Sequence, residues 1–467
     1  MESKFIALGV VVIVVAAAIG GGVYMMMNMN KGDNIELEKP TLLVYGNANG
    51  DYYLNTDDVT KLKELIESKP SDWQETNPFA DTNCDGSLTN DDVTMLESIL
   101  NADKDHQVKI NVCSYAVQKA YISKVRYPVT KAACNTNQTT MATLKTLGID
   151  SEIVSTSVAA TSTNLDGSVK QEKYDKYIFG NYFDVMDQPH QIGAKSCDVN
   201  SSTLADIITS YGCTVYLYSA SQAALSNYVT LSSQIDFVQV ADGESEIKDY
   251  GSAILLVGFL FGTSDNNYVS KSVEAVDWFL DFEKDLKNGI KNVDKVSAVA
   301  SSMTTYVAIK GSSNTSVIES AGLSCPVGNM LPIDASSTTK MYTDGTDTWL
   351  NAIPMDAFVI LRGSTGGWSW FDGDYSTEHL PADFTTHIEN YKTLDCYKKG
   401  NIIVVSTMMC GPQKSGAIAQ YYYGDKLGEN WYNDKMTDFY TKFWGFSAED
   451  CAKFKYVLTQ AEVLGTA

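Results

Sequence analysis

From about Val108 onward the chain repeats one pattern, a short run rich in β-branched residues followed by a stretch with apolar residues at helical spacing. Few folds satisfy it, because strands that alternate with helices build parallel sheets with right-handed crossovers. Lys124–Cys134, Glu152–Ser157, Thr214–Tyr218 and Asp236–Ala241 read as strands, with helices predicted near Thr139–Leu147, Ser202–Tyr211 and Ser221–Ser233. The alternation breaks once. Asn266–Asn292 has no glycine or proline before Gly289 and keeps Val269, Val273, Val276, Phe279, Leu280 and Leu286 near helical spacing, which predicts one long helix. Strands then resume at Thr305–Lys310, Ala357–Arg362 and Ile402–Thr407, with helices at Thr315–Ala321 and Gly416–Leu427 and a helical end from Ala448. The region holds about 360 residues, too many for one ordinary core, so two lobes are expected.

Ahead of this region, Asn47-Ala-Asn49-Gly-Asp51-Tyr-Tyr-Leu-Asn55-Thr-Asp-Asp58 returns in altered form as Asp81-Thr-Asn83-Cys-Asp85-Gly-Ser-Leu-Thr89-Asn-Asp-Asp92. Positions 1, 3, 5, 9 and 12 of each copy offer a side-chain oxygen, and hard Ca²⁺ takes roughly six to eight such oxygens. Each copy leads into one apolar helical pattern, Val59, Leu62, Leu65, Ile66 and then Val93, Leu96, Ile99, Leu100, so the two halves can share a core. Asp at position 12 and one helix per loop resemble a dockerin module more than an EF-hand. That resemblance implies a cohesin-like surface partner. Tyr52 in place of glycine and Asn47 in place of Asp predict weaker calcium binding in the first loop.

Phe5–Met27 is an uncharged apolar run long enough to cross a bilayer, and the weak charge bias puts the amino terminus inside. A single-pass cell-membrane protein with extracellular carboxyl-terminal domains is expected. Three Asn-x-Ser/Thr sequons (Asn137, Asn200, Asn314) agree with a surface location. Nine scattered cysteines without a Cys-x-x-Cys pair argue against a zinc site or a disulfide framework. A net charge of −22 opposes binding to nucleic acid or anionic lipid.

Two α/β lobes joined by one long helix resemble the substrate-binding proteins of ABC importers for iron chelates, haem or cobalamin. Arg126–Thr130 through Leu144–Ile149 is similar to that family's first strand and following helix. Gln188–Gly193, Ser202–Ile208 and Val215–Tyr218 resemble its turn, helix and strand. Ser316–Gly322 looks like the helix end that opens the second lobe, and Gly416–Tyr423 with Trp431–Tyr432 resembles the late helix. The likeness covers about residues 107–465. It implies a rigid clamp that holds a metal chelate between its lobes and docks on a permease driven by its ATPase. Glu319 matches the docking acid of the second lobe; the first-lobe position is Ala205, with Asp206 beside it.

The expected organisation is a membrane anchor or signal over 1–30, the dockerin-like calcium module over 40–104, lobe 1 over 107–262, the connecting helix over 263–292 and lobe 2 over 293–467. The lobes are expected to be Rossmann-like, and the module all-α. Ligands gather outside the carboxyl ends of parallel strands, which singles out Asn135 and Gln138 in the loop after the first strand and His190 in the equivalent turn. In lobe 2, Arg362 with Trp368 and Trp370 combines a forked cation, a glycine-rich loop and two indoles suited to a flat anionic chelate. No His-Glu-x-x-His, Gly-x-Ser-x-Gly or P-loop pattern is present, and binding without catalysis is expected. The other reading is a surface adhesion or scaffold protein that acts through the duplicated module.

Overall fold

A computed structural model describes residues 35–466 except 117–118, 135–137, 157–160, 164–168, 173–200, 219–234, 241–246, 302–306, 310–311, 330–340, 343–349, 363–381 and 407–408. The duplicated loops open helices α1 (Thr56–Ser68) and α2 (Asn90–Leu100). Each helix is started by a reciprocal capping box, Asn55 with Asp58 and Thr89 with Asp92, which satisfies amino-terminal N–H groups that a helix leaves open. Val59, Leu62, Leu65, Val93 and Leu96 pack together between the helices.

The module is not a free-standing spacer. Val44 bridges to Val112, Cys113 N–H donates to the Leu43 carbonyl, and the Asn111 amide donates to the Thr82 carbonyl at 2.8 Å. Leu42–Tyr45, Phe79 and Ile99 join the main core of the protein.

The partner of this docking is an antiparallel hairpin, β1 (Val108–Ala116) and β2 (Lys119–Tyr127). The single strand expected over Lys124–Cys134 is therefore two. Pro128 lacks an N–H and ends the β2 ladder, and the chain re-enters a sheet only at β3 (Ala132–Cys134). After β3 come α3 (Gln138–Leu147), β4 (Ile153–Thr156), α4 (Ser201–Tyr211), β5 (Val215–Tyr218) and β6 (Asp236–Gln239). These strands form a parallel sheet in the order β4-β3-β5-β6. The helix predicted at Ser221–Ser233 lies outside the described residues.

Two helices then run through the middle of the molecule. In α5 (Ile247–Phe261) thirteen of fifteen residues are buried, which is why the sequence lacks an amphipathic signal there. The long helix is α6 (Tyr268–Ile290), close to its predicted span. Glycine lets the helices approach: a Cβ on Gly258 would lie 2.5 Å from Ser272, and one on Gly416 2.4 Å from Phe282. Glu283 of α6 is buried but paired with Lys287 at 2.5 Å, and it accepts the Ile247 N–H.

The second sheet contains β7 (Ala298–Ser301), then, after α7 (Ser313–Ser320), β8 (Ala357–Arg362). After α8 (Ala382–Glu389) come β9 (Ile402–Ser406), α9 (Gly411–Leu427), α10 (Trp431–Phe439) and β10 (Val457–Thr459). Its order is β10-β9-β8-β7, parallel except for β10. Of the strand predicted at Thr305–Lys310, only Val307–Ala308 is extended among the described residues. The chain after α10 reaches back to the first sheet's helix. Trp444 donates to the Thr146 hydroxyl at 3.1 Å, and the Lys145 ammonium lies 5.6 Å from the Trp444 ring and 5.4 Å from that of Phe446. Burial pulls this ammonium below the usual lysine range, against the opposing charge of Asp150. The halves are thus braced twice, by α6 and by this aromatic clasp.

Candidate functional site

Both parallel sheets end in polar residues on the same kind of edge. In the second sheet Arg362 stands opposite Ser406, and Ile360 opposite Ser301, so Ser301, Arg362 and Ser406 close three adjacent strands at their carboxyl ends. Ser301 and Ser406 are buried, and the Ser301 hydroxyl meets Nε2 of buried His387 at 3.0 Å. In the first sheet the corresponding ends are Cys134, Thr156, Tyr218 and Gln239, all buried, with α3 opening at Gln138 directly after β3. Thr139, Thr140 and Thr143 of its first turns are buried as well.

The two halves meet at Tyr250 of α5. The Cys410 thiol, at the start of α9, donates to the Tyr250 hydroxyl at 2.7 Å, and Thr143 of α3 also neighbours that phenol. Next to Cys410, the Tyr432 hydroxyl donates to Met409 Sδ at 2.6 Å. Burial raises the Cys410 thiol to about 11, although the Tyr250 bond and the Lys414 charge pull it down. Burial likewise lifts Cys134 to about 12. Neither is the exposed thiolate that nucleophilic or redox chemistry needs. Gln413 and Lys414, in the first turn of α9, are 2% and 3% exposed.

Of the residues singled out in the sequence, Arg362 ends β8 and Gln138 begins α3, both on these edges. Asn135, His190, Trp368 and Trp370 lie outside the described residues. Asp206 on α4 is exposed. Glu319 on α7 is exposed too, its carboxyl held above the usual range by partial burial while Lys295 opposes the shift. Asn314 is buried, so that sequon cannot carry a glycan on the folded protein. Tyr421, Tyr422 and Tyr423 face differently: Tyr421 is exposed, whereas buried Tyr423 donates to the Gly322 carbonyl at 3.1 Å. Thr156, Gln239, Ser301, His387, Ser406, Gln413 and Lys414 escaped the sequence reading. Thr156, Gln239, Ser301 and Ser406 each end a strand, a position that no local motif marks, whereas His387 lies within α8 and Gln413 and Lys414 in the first turns of α9.

In the duplicated loops the two copies share a hydrogen-bond pattern. Asp58 accepts the N–H groups of Asn49 (3.2 Å) and Asn55 (2.9 Å), as Asp92 accepts those of Asn83 (3.1 Å) and Thr89 (2.9 Å). Asn49 and Asn83 each accept the N–H two residues on, from Asp51 and Asp85. The copies differ at position 1. Asp81 accepts two N–H groups, from Asp85 and Gly86, whereas Asn47 accepts one and donates its amide to the Leu42 and Asp51 carbonyls, both at 2.9 Å. Among the described residues no three His, Cys, Asp or Glu side chains converge as a metal site.

No family model matches the sequence, and no curated protein matches it either. Solved structures do share its architecture. Helicobacter pylori CeuE, in a nickel–histidine complex, aligns with a TM-score of 0.50 at 11% identity over 74% of this chain and 98% of its own. An ABC transporter solute-binding protein from Sulfurospirillum deleyianum gives 0.50 and 11% over 74% and 98%. The TroA-like periplasmic binding protein FepB from Veillonella parvula gives 0.51 and 9% over 73% and 97%. The chain has the fold of a periplasmic solute-binding protein. The expectation of a single-pass membrane protein is overturned: no helix among the described residues is long and apolar enough to cross a membrane, and the proteins sharing the fold include periplasmic ones. Phe5–Met27, which carried that expectation, lies outside the described residues.

Proposed function

We propose that the chain is the substrate-binding component of an ABC importer, holding a metal chelate between its lobes (107–262 and 293–467) without catalysing a reaction on it. The observation that carries this reading is the convergence at Tyr250, where α3 from one parallel sheet and the start of α9 from the other meet around buried polar groups. A site at the carboxyl edges of two sheets is where α/β proteins collect ligands. The proteins of like fold add support, since Helicobacter pylori CeuE was solved as a nickel–histidine complex and the Sulfurospirillum deleyianum protein is an ABC transporter solute-binding protein. An iron–siderophore, haem or corrinoid is the class of cargo. Asn135, Gln138, His190, Arg362, Trp368 and Trp370 are the proposed first contacts, and Asp206 and Glu319 the exposed acids that would register the protein on a basic permease surface.

Calcium in the duplicated loops is part of the proposal. The second loop is the stronger candidate, because Asp81 is raised by burial and by the charges of Asp92 and Asp85, a crowding that a cation would relieve. The scaffold reading, with a cohesin-like partner, is less favoured: part of the module's surface is already buried against the β1–β2 hairpin.

The purified full chain should be inspected for bound colour and titrated, by intrinsic fluorescence, with a panel of ferric chelates, haem and cobalamin. Saturable binding of one member with a micromolar or lower dissociation constant is expected. Absence of binding across the panel would overturn the reading.

A further inference from the structure

The β1–β2 hairpin has two outer edges, and the protein fills only one of them. Its ladder is regular, with Lys109 opposite Arg126, Asn111 opposite Lys124 and Cys113 opposite Ile122. On β1 the outward backbone groups are taken: the Tyr45 N–H donates to the Asn111 carbonyl at 3.0 Å, and the Cys113 N–H to the Leu43 carbonyl at 2.9 Å. In an antiparallel ladder, residues opposite an outward-facing one face outward too, so Ile122, Lys124 and Arg126 turn their N–H and carbonyl groups away from β1. The Arg126 N–H donates to the Asp236 carboxylate at 2.9 Å. Those of Ile122 and Lys124 have no partner among the described residues.

Strand alternation decides which side chains flank this open edge. Ile110, Val112 and Val125 point inward and are fully buried, whereas Ile122, Lys124 and Arg126 stand in a row on the other face, all exposed, Ile122 at 42%. Lys109 is held by Asp236 at 3.3 Å, but neither Lys124 nor Arg126 forms an ion pair among the described residues. The sequence around them is segregated by charge. No Asp or Glu occurs between Asp105 and Asp150, a stretch with five lysines and one arginine in a chain of net charge −22.

We infer that the outer edge of β2 at Ile122 and Lys124 docks an extended acidic segment of a partner protein, added to the ribbon as a further strand. A strand gives each open residue both an acceptor and a donor, whereas an anionic polymer such as polyphosphate has no donor for the open carbonyls. Carboxylates at alternate positions of the segment face Lys124 and Arg126, and an apolar side chain covers Ile122. A second copy of this chain is the wrong occupant, because antiparallel self-pairing of β2 about Lys124 sets like charges side by side. Lysine guards many strand edges against indiscriminate pairing; here it selects the sign of the partner.

The test follows fluorescence anisotropy of short labelled peptides mixed with the full chain at low ionic strength. The probe alternates Glu with Val; one control has Lys for each Glu, and a second keeps every Glu but has Pro for each Val, which preserves charge and removes strand N–H groups. Saturable binding is expected for the Glu–Val peptide alone. Lys124→Gln combined with Arg126→Gln should weaken it at least about fivefold, and so should Ile122→Pro, which deletes an outward N–H but no ladder bond. Absence of saturable binding overturns the inference, as does equal affinity for either control peptide. Undiminished affinity in the charge variant or in Ile122→Pro overturns it too. The importer reading stands through any of these failures, since the strip takes no part in holding cargo.

Discussion

The duplicated loops and the seam between the sheets both gather buried polar groups, but they do so over opposite distances. In the loops Asp58 and Asp92 meet N–H groups three and nine residues away, and these four contacts close inside their own copies. At the seam the Cys410–Tyr250 bond spans 160 residues and the Trp444–Thr146 bond 298. The helix-capping carboxylates of the loops are satisfied locally, whereas the seam is assembled by topology and leaves Gln413 Nε2 without a partner among the described residues. Local satisfaction builds a stable support; a seam assembled over long range exists only in the finished fold.

If that contrast holds, damage to the packing under the seam should be the most severe. Phe282→Ala removes a fully buried ring that touches Gly416 and stacks on Trp278; a loss of about 3–5 kcal/mol is expected in denaturant unfolding, with chelate affinity falling alongside. Asp92→Ala strips two N–H groups of their acceptor in the module. Unfolding should show about 2–4 kcal/mol less stability, yet ligand titration of the folded fraction should be unchanged, and a large loss of affinity would dissolve the distinction between the two regions. Tyr250→Phe deletes the acceptor of the Cys410 thiol at the cost of about 1 kcal/mol; here affinity, not stability, should be the more sensitive readout.

A smaller effect separates the two loops by pH. Burial raises Asp58 and Asp81 above the usual carboxylate range, with like charges adding to it. A carboxyl raised in the folded state favours folding fully below its unfolded pKa, and that contribution is lost as pH rises through the folded value. In chelator, the melting temperature of the wild type should therefore decline relative to Asp81→Asn between acid and neutral pH, and added calcium should restore it. Asn47→Asp replaces the amide that donates to Leu42 and Asp51, and calorimetry should show it raising calcium stoichiometry from one to about two.

The same contrast explains what could be read in advance. The loops were legible because their chemistry repeats within twelve residues. The strands Val215–Tyr218, Ala357–Arg362 and Ile402–Ser406 and the helix Tyr268–Ile290 lie close to their predicted spans, since each carries its periodicity locally. The hairpin Val108–Tyr127 was missed in part because Pro128, a single residue, divides what composition joins. Ser301, His387, Gln413 and Lys414 were invisible for a deeper reason. Each is an ordinary polar residue in sequence, and only the folded second lobe sets Ser301 against His387 and buries Gln413 and Lys414 in the first turns of α9.

The most direct test of a chelate held at that seam is amide hydrogen exchange on the full chain with and without a saturating ferric chelate. Protection is predicted in Gln138–Leu147 and Gly411–Leu427, with exchange in Asn47–Asp58 and Asp81–Asp92 unaltered. Protection confined to those loops, with the two helices unchanged, would contradict the account.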